Sequence, residues 1–257
     1  MIKNLNKSRK LTENIKLGAL TAFSAGMVNV TSLIIFFAFT SNVTGHYAIL
    51  AQEISKGNWY QASVVFIWIF LFLMGNFTSN LCIINGKNRL SRYFSHAIPL
   101  ILEITCLLIV GVYLQAFYTE TLRETEFMVG LMLFAMGLQN GLTASISNGA
   151  VKTTHLTGLT TDLGILLSMF TKKKNRQSAA VRGKAQLLFS IMLSYMGGGI
   201  LAGVVYLKLK YYVLFAVCLV LLVVIVYDYS TINMKLLIRR KQFAIRSKRM
   251  EFSKQAS

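Results

Sequence analysis

Residues 41–50 read Ser-Asn-Val-Thr-Gly-His-Tyr-Ala-Ile-Leu, and residues 154–163 read Thr-His-Leu-Thr-Gly-Leu-Thr-Thr-Asp-Leu. Each phrase follows a long apolar run, and in each a Thr-Gly pair stands where an apolar stretch resumes. The resumed stretches, roughly 44–55 and 157–170, are short. As helices they rise about 18–21 Å at about 1.5 Å per residue. A bilayer's hydrocarbon core is about 30 Å thick. The two stretches therefore suit half-helices, re-entrant hairpins or interfacial helices better than full crossings.

Around them lie six runs long enough to span: about 17–39, 61–84, 97–118, 127–148, 185–207 and 211–231. The 257-residue chain is 54% hydrophobic and only 14% charged, against roughly 25% charged in a soluble domain. An outer-membrane barrel would alternate polar and apolar residues in segments of about ten, and no such pattern is present. The first run is longer than a signal-peptide core and lacks a small-x-small cleavage site, so it reads as an uncleaved first span. The expected fold class is an all-α polytopic membrane protein, with about six transmembrane helices plus two short half-helix or re-entrant segments.

The net charge of +18 does not read as nucleic-acid binding, since no recognition motif accompanies it. Its placement follows the positive-inside rule. The N-tail (Lys3, Lys7, Arg9, Lys10, Lys16), the 85–96 loop (Lys87, Arg89, Arg92), the 149–184 connection and the C-tail are basic. The 119–126 loop carries Glu120, Glu124 and Glu126 against Arg123. If the two short segments do not cross, every basic connection falls inside and the acidic loop outside. The resulting map is a basic cytoplasmic N-tail (1–16), membrane repeat 1 (17–118), an acidic external loop (119–126), membrane repeat 2 (127–231) and a basic cytoplasmic C-tail (232–257).

The halves match beyond the quoted phrases. Gly26 and Asn29 of AGMVN pair with Gly137 and Asn140 of MGLQN. Thr44-Gly45 pairs with Thr157-Gly158, and Met74-Gly75 with Met196-Gly197. Extra residues in the second half include the basic run Lys172–Arg176, which reads as a solvated loop. Three spans per half would make the second half enter from the opposite side. That is an inverted-topology repeat, an architecture common among secondary transporters. AGMVNV, SNVTGHYAILA, AMGLQNGL and HLTGLTTDLG, in that order, resemble the YoaK-like family of bacterial integral membrane proteins, a domain family without an established function. The resemblance covers about 17–230 and implies a multi-pass bacterial plasma-membrane protein. That family is expected to carry an acidic residue where Asn29 stands and Asn where His46 stands.

Irregular backbone survives inside a bilayer only when buried in protein or lining water. Two half-helix N-termini meeting near the midplane would aim free N–H groups and positive dipole ends at one site. That arrangement points to a transporter or channel for a small polar or anionic solute. The candidate binding residues are Asn29, Asn42, Thr44, Gly45, His46, Gln139, Asn140, His155, Thr157 and Gly158. Asp162, Glu53 and Glu103 are candidates for coupling to an ion. Glu103 is expected about six residues into its span, with pairing to Arg92 or Lys87 as the plainer alternative. A second reading is a non-transporting scaffold or signalling subunit. A third is a membrane-embedded enzyme, which the scattered His, Asp and Glu disfavour. Cys82, Cys106 and Cys218 lie in apolar runs and His46, His96 and His155 are far apart, so no catalytic residue, metal site or cofactor is expected. Stripes of small residues (Gly18, Ala22, Gly26; Gly137, Gly141, Ser145, Gly149; Gly199, Gly203) predict close helix packing, within the chain or in a homo-oligomer. The C-tail mixes cations with Leu236, Leu237, Phe243 and Ile245, which suits anionic lipid.

Overall fold

The computed structural model describes residues 11–86, 89–227 and Ser230, with the backbone alone at 89–93. The outer part of the N-tail and the whole C-tail, with its expected lipid contact, lie outside the described residues. Among those described there are helices and no strand. The helices are α1 (Leu11–Phe36), α2 (Val43–Ser55), α3 (Trp59–Asn85), α4 (Arg89–Ala116), α5 (Leu122–Ile146), α6 (Leu156–Phe170), α7 (Lys173–Gln177) and α8 (Ala179–Leu209). A 3₁₀ turn at Lys210–Tyr212 then leads into α9 (213–227).

Five helical segments are long and apolar enough to cross a membrane. The last of these, Ala179–Tyr227, runs 49 residues and would measure about 74 Å if straight. It breaks at Lys210, whose φ is +45°. The short segments α2 and α6 start within one residue of the expected 44 and 157. The region expected as a solvated basic connection is more helical than its composition suggests. It holds α7, and α8 begins at Ala179 rather than near 185. Helical hydrogen bonding runs on beyond an apolar stretch into polar flanking residues when nothing caps it, here straight through Gly183.

Outward faces are apolar: Phe66, Phe70 and Phe77 on α3, Leu193 and Ile200 on α8, and Leu219 and Val226 on α9 are all exposed. The interior holds polar groups instead, including Thr21, Ser24, Thr31, Gln139 and Thr143. A soluble fold does not expose such continuous apolar surface. The distribution marks an integral membrane protein with multiple passes.

Contacts set the helix directions. Phe36 at the end of α1 meets Tyr118 just before α5, and Gly18 near the start of α1 faces Val151 just after α5. These two helices are antiparallel, joined at mid-length where Gln139 Nε2 donates to Ser24 Oγ at 2.6 Å. Helix α8 runs parallel to α1, because Leu11 faces Gly183, Ile191 faces Gly18 and Val30 faces Gly199. Helix α3 runs parallel to α5: Trp68 Nε1 donates to Glu126 O at 2.9 Å, and Ser145 Oγ donates to Asn80 Oδ1 at 3.1 Å. Helix α9 descends along α4, with Leu214 beside Gly111 and Cys218 Sγ beside Ile104 O.

Two crossings repeat the same glycine device. A Cβ on Gly26 would strike the Tyr195 carbonyl, and one on Gly198 would strike the Phe23 carbonyl. Equally, a Cβ on Gly137 would strike the Phe72 carbonyl, and one on Gly75 the Phe134 carbonyl. Only glycine permits backbones this close. Phe23 and Phe134 stand three residues before Gly26 and Gly137, so the two crossings use equivalent positions. They also correct the expected register, because the partner of Gly75 is Gly198, not Gly197. Gly18 and Gly141 likewise pack within the chain, whereas Gly149 lies beyond α5 and Gly203 faces open space.

The same contacts segregate charge. Tyr60 Oη donates to Glu126 Oε2 at 2.6 Å, which brings the α2–α3 turn and its Glu53 to the end that carries Glu120, Glu124 and Glu126. The opposite end carries the start of α1 and the basic 149–184 region.

Candidate functional site

Both quoted phrases form turns that dip back into the bundle. After α1 the chain reverses at Phe37 (φ +53°). It then descends until Thr40 N donates to Asn29 Oδ1 at 3.0 Å, seven residues below the helix end. Thr40 Oγ1 reaches the same oxygen at 3.3 Å, and Ser32 Oγ donates to Ala38 O at 2.9 Å. After α5 the chain reverses at Asn148 (φ +56°) and Gly149 (φ +77°). Val151 N then donates to Ser147 Oγ at 2.9 Å. Thr153 Oγ1 donates to Asn140 Oδ1 at 3.1 Å, and Asn140 Nδ2 donates to Thr154 Oγ1. Asn29 and Asn140 are thus equivalent clamps, each holding its own returning strand of chain.

From these low points α2 and α6 rise back toward the end they came from. Asn42 caps α2, its Oδ1 accepting from Gly45 N at 3.2 Å. His155 occupies the same place before α6 but makes no side-chain cap bond. The helices begin at Val43 and Leu156, so Thr-Gly sits inside the first turn. Neither glycine has a positive φ, so neither stands there for a left-handed turn. Their requirement is space. A Cβ on Gly45 would meet the Asn42 side chain at 2.9 Å, and one on Gly158 would strike the His155 ring. Each glycine lets the preceding cap residue fold over the helix end.

The two N-termini open on one cavity of about 600 Å³. Of the residues expected from sequence, Asn29, Asn42, Thr44, Asn140, His155 and Thr157 line it. Tyr195, Asn76, Ser41, Thr154 and Lys152 join them without having been anticipated. Lys152 is the one charged residue among the described lining, and there is no carboxylate. Tyr195 Oη accepts from Asn29 Nδ2 at 2.7 Å; the only hint in the sequence was a hydroxyl-bearing aromatic ahead of Gly197-Gly-Gly. The α6 terminus leaves the N–H groups of its first turn without a side-chain acceptor, which suits an anionic or strongly polar group.

The remaining candidates lie elsewhere. Gly45 and Gly158 sit behind their caps. His46 is buried, donating from Nε2 to Phe39 O at 2.8 Å and stacking edge-on against Trp68, so it pins the first returning loop. Gln139 is fully buried in the α1–α5 contact. Glu53 lies at the far end of α2, where bonds from Lys56 (3.0 Å) and Asn58 (2.7 Å) hold it. The Lys56 bond, then the Asn58 bond, lower its pKa below the usual carboxylate range. Asp162 pairs with Lys184 at 2.9 Å. Glu103 is 0% exposed and neither oxygen has a hydrogen-bond partner among the described residues. The apolar span of α4 is Phe94–Ala116, so Glu103 lies nine residues, about 14 Å, into it, three residues further in than the expected start at 97 gives. The side chains of Lys87 and Arg92 lie outside the described residues. Among those described, no group of three or more His, Cys, Asp or Glu could hold a metal.

A family model described as "Protein of unknown function (DUF1275)" matches residues 17–227. The chain belongs to that family. This bears out the resemblance to the YoaK-like domain family and leaves the activity open. No curated protein and no solved structure matches the chain. All the clamps, caps and glycine crossings described above fall within the residues matched to the DUF1275 family.

Proposed function

We propose that the protein is a bacterial plasma-membrane transporter or channel for a small polar or anionic solute, bound between the two half-helix starts. The observation that carries this reading is the single cavity lined at once by Asn42 and Thr44 of one break, by His155 and Thr157 of the other, and by Lys152. Half-helices that meet head to head in a bundle interior are a transporter arrangement. The fold reading is six spans in two inverted repeats. It is supported by the alternating directions of α1, α3, α4, α5, α8 and α9, and by the equivalent crossings Gly26–Tyr195 and Gly137–Phe72. In this reading α2 and α6 are re-entrant. The basic end is cytoplasmic, with both termini, and the glutamate-rich end is external.

Two experiments test this. A cysteine at exposed Ser55, in a chain with Cys82, Cys106 and Cys218 replaced, should react with an impermeant thiol reagent on intact cells. Protection until permeabilisation would mean that α2 crosses, and the inverted arrangement would fall. For function, proteoliposomes would be challenged with isosmotic gradients of small carboxylates, inorganic oxyanions and neutral polyols while light scattering follows volume. At least one solute should cross faster than in empty liposomes, and Thr157→Val should remove that excess. If no solute in the panel crosses faster than the lipid background, or if Thr157→Val leaves flux untouched, the proposed site is wrong.

A further inference from the structure

A second cavity, of about 640 Å³, adjoins the first and shares two of its lining residues, Lys152 and His155. It lies at the basic end. Its other walls include Leu11 and Asn14 of α1, Ala150 of the loop after α5, Lys184 of α8 and Asp162 of α6. The stretch of chain from Lys152 to His155 is therefore a partition, with a cavity on each side.

Helix α6 carries that partition and is lightly held. Its buried residues are a single stripe, Leu159, Leu163 and Leu166, while Ile165 and Leu167 are exposed. One ion pair ties it to α8, Lys184 Nζ to Asp162 Oδ2 at 2.9 Å, with both side chains about half exposed. The chain enters the partition through Asn148 and Gly149, two successive residues in the left-handed region. The loop ahead of α6 is held by Ser147 and Asn140, as the loop ahead of α2 is held by Asn29 and Ser32, so the part free to swing is the helix beyond Thr154.

We propose that the second cavity is the basic-face vestibule of the solute path, and that α6 is its gate, latched shut by Asp162–Lys184. This rests on the transport reading and extends it to a route and a solute charge. With the latch closed, Lys152 and His155 separate the vestibule from the central cavity. Tilting α6 away from α8 would join the two spaces. The vestibule favours anions, because Lys184 and Asp162 neutralise each other and Lys152 leaves one positive charge over.

The test uses the full chain in membrane vesicles, with the three native cysteines replaced and one reporter cysteine added. Ala150→Cys reports on the second cavity and Ala144→Cys on the first. The probes are a sulfonate-bearing and a trimethylammonium-bearing methanethiosulfonate, applied from whichever side labels Ala150→Cys. From that side Ala144→Cys should react slowly. Lys184→Gln should speed its reaction about two- to fivefold, the range to which a half-exposed ion pair converts. The charge-swapped pair Asp162→Lys with Lys184→Asp should return the slow rate, and the sulfonate should outpace the ammonium. Dividing the Ala144→Cys rate by the Ala150→Cys rate for the same probe removes the change in vestibule charge that Lys184→Gln itself makes, and an unchanged unfolding temperature shows that the fold is intact. Reaction of Ala144→Cys only from the opposite side, or indifference to Lys184→Gln, overturns the gate. Solute flux measured on the same variants separates the two ideas. Labelling as expected without flux removes transport and keeps the vestibule. Flux with labelling insensitive to the latch removes the gate and keeps transport.

Discussion

Replacing Asn29 with Leu should release the loop between α1 and α2 while leaving the bundle folded. Asn29 Oδ1 accepts from the buried backbone N–H of Thr40, and its Nδ2 donates to Tyr195 Oη. Leucine fills a similar volume but accepts nothing. The Thr40 amide would then be buried and unpaired, which costs about 1–3 kcal/mol. The bond to Tyr195 joins α1 to α8 and is lost whether the loop is open or closed, so it does not enter the opening equilibrium. Water entering the cavity will recover part of the Thr40 cost, so about 1–2 kcal/mol is expected to fall on loop opening. At 1.4 kcal/mol per decade, that is roughly a 5- to 30-fold rise in the open population. Amide hydrogen exchange across residues 37–42, read in nanodiscs, measures it directly, with α3 and α5 peptides as unchanged controls. Asn29→Asp is the informative companion. A carboxylate still accepts from Thr40 N–H, and the Tyr195 hydroxyl can turn to donate to it. Protection of 37–42 should therefore survive, which would also explain why an acidic residue is expected there in the family. The mirror substitution Asn140→Leu should cost less, because it frees the hydroxyls of Thr153 and Thr154 rather than a backbone amide. Unchanged exchange in Asn29→Leu, or loss of protection in Asn29→Asp, would refute the clamp.

The helix crossings make a second prediction. Gly137→Ala drives a Cβ into the Phe72 carbonyl and should cost about 1–3 kcal/mol, roughly 2–10 °C in Tm for a chain of this size. Gly203→Ala meets nothing within 4 Å and should leave Tm level or slightly raised; equal losses would mean the crossing is not tight. Gln139 joins α1 to α5 without reaching the cavity, and its Oε1 is unpaired. Gln139→Met should therefore preserve any solute flux and hold stability within about 1 kcal/mol, since the Ser24 hydroxyl left behind still donates to Thr21 O at 2.9 Å and the unpaired Oε1 is removed with the amide. Loss of flux with an intact fold would return Gln139 to the binding site. Glu103→Met should raise stability by about 1–3 kcal/mol by removing two unpaired buried oxygens, measurable as a higher Tm in detergent; a lower Tm would show that the carboxyl has a partner.

The spans and the two short segments were legible because hydrophobicity and helix length are local properties. A stretch too short for the bilayer announces itself within a dozen residues. The pairing of Gly75 was misread by one residue for a related reason. Met74-Gly75 and Met196-Gly197 are the better match as text, but packing compares distances between backbones, and Gly198 is the residue that approaches Phe23. Sequence identity within a repeat and equivalence in space part company wherever a run such as Gly197-Gly-Gly offers several candidates.

The site shows a deeper version of the same limit. Asn29 and Asn140 were picked out as polar groups inside spans, and the cavity does touch them. Yet most of their hydrogen-bonding capacity is spent on Thr40, Tyr195, Thr153 and Thr154. What a sequence displays is the presence of a donor or acceptor, not whether a partner from another part of the chain has already taken it. Lys152 illustrates the reverse case. It reads as one more cation in a basic connection, and only the inward dip of the chain after Gly149 carries it to the wall between two cavities. The Thr-Gly phrase occurs twice because α2 and α6 each start in mid-bundle with the cap residue folded over the third residue. That constraint is local enough to be written twice, whereas the chemistry of the space between the two starts is set by residues from six helices and their connections.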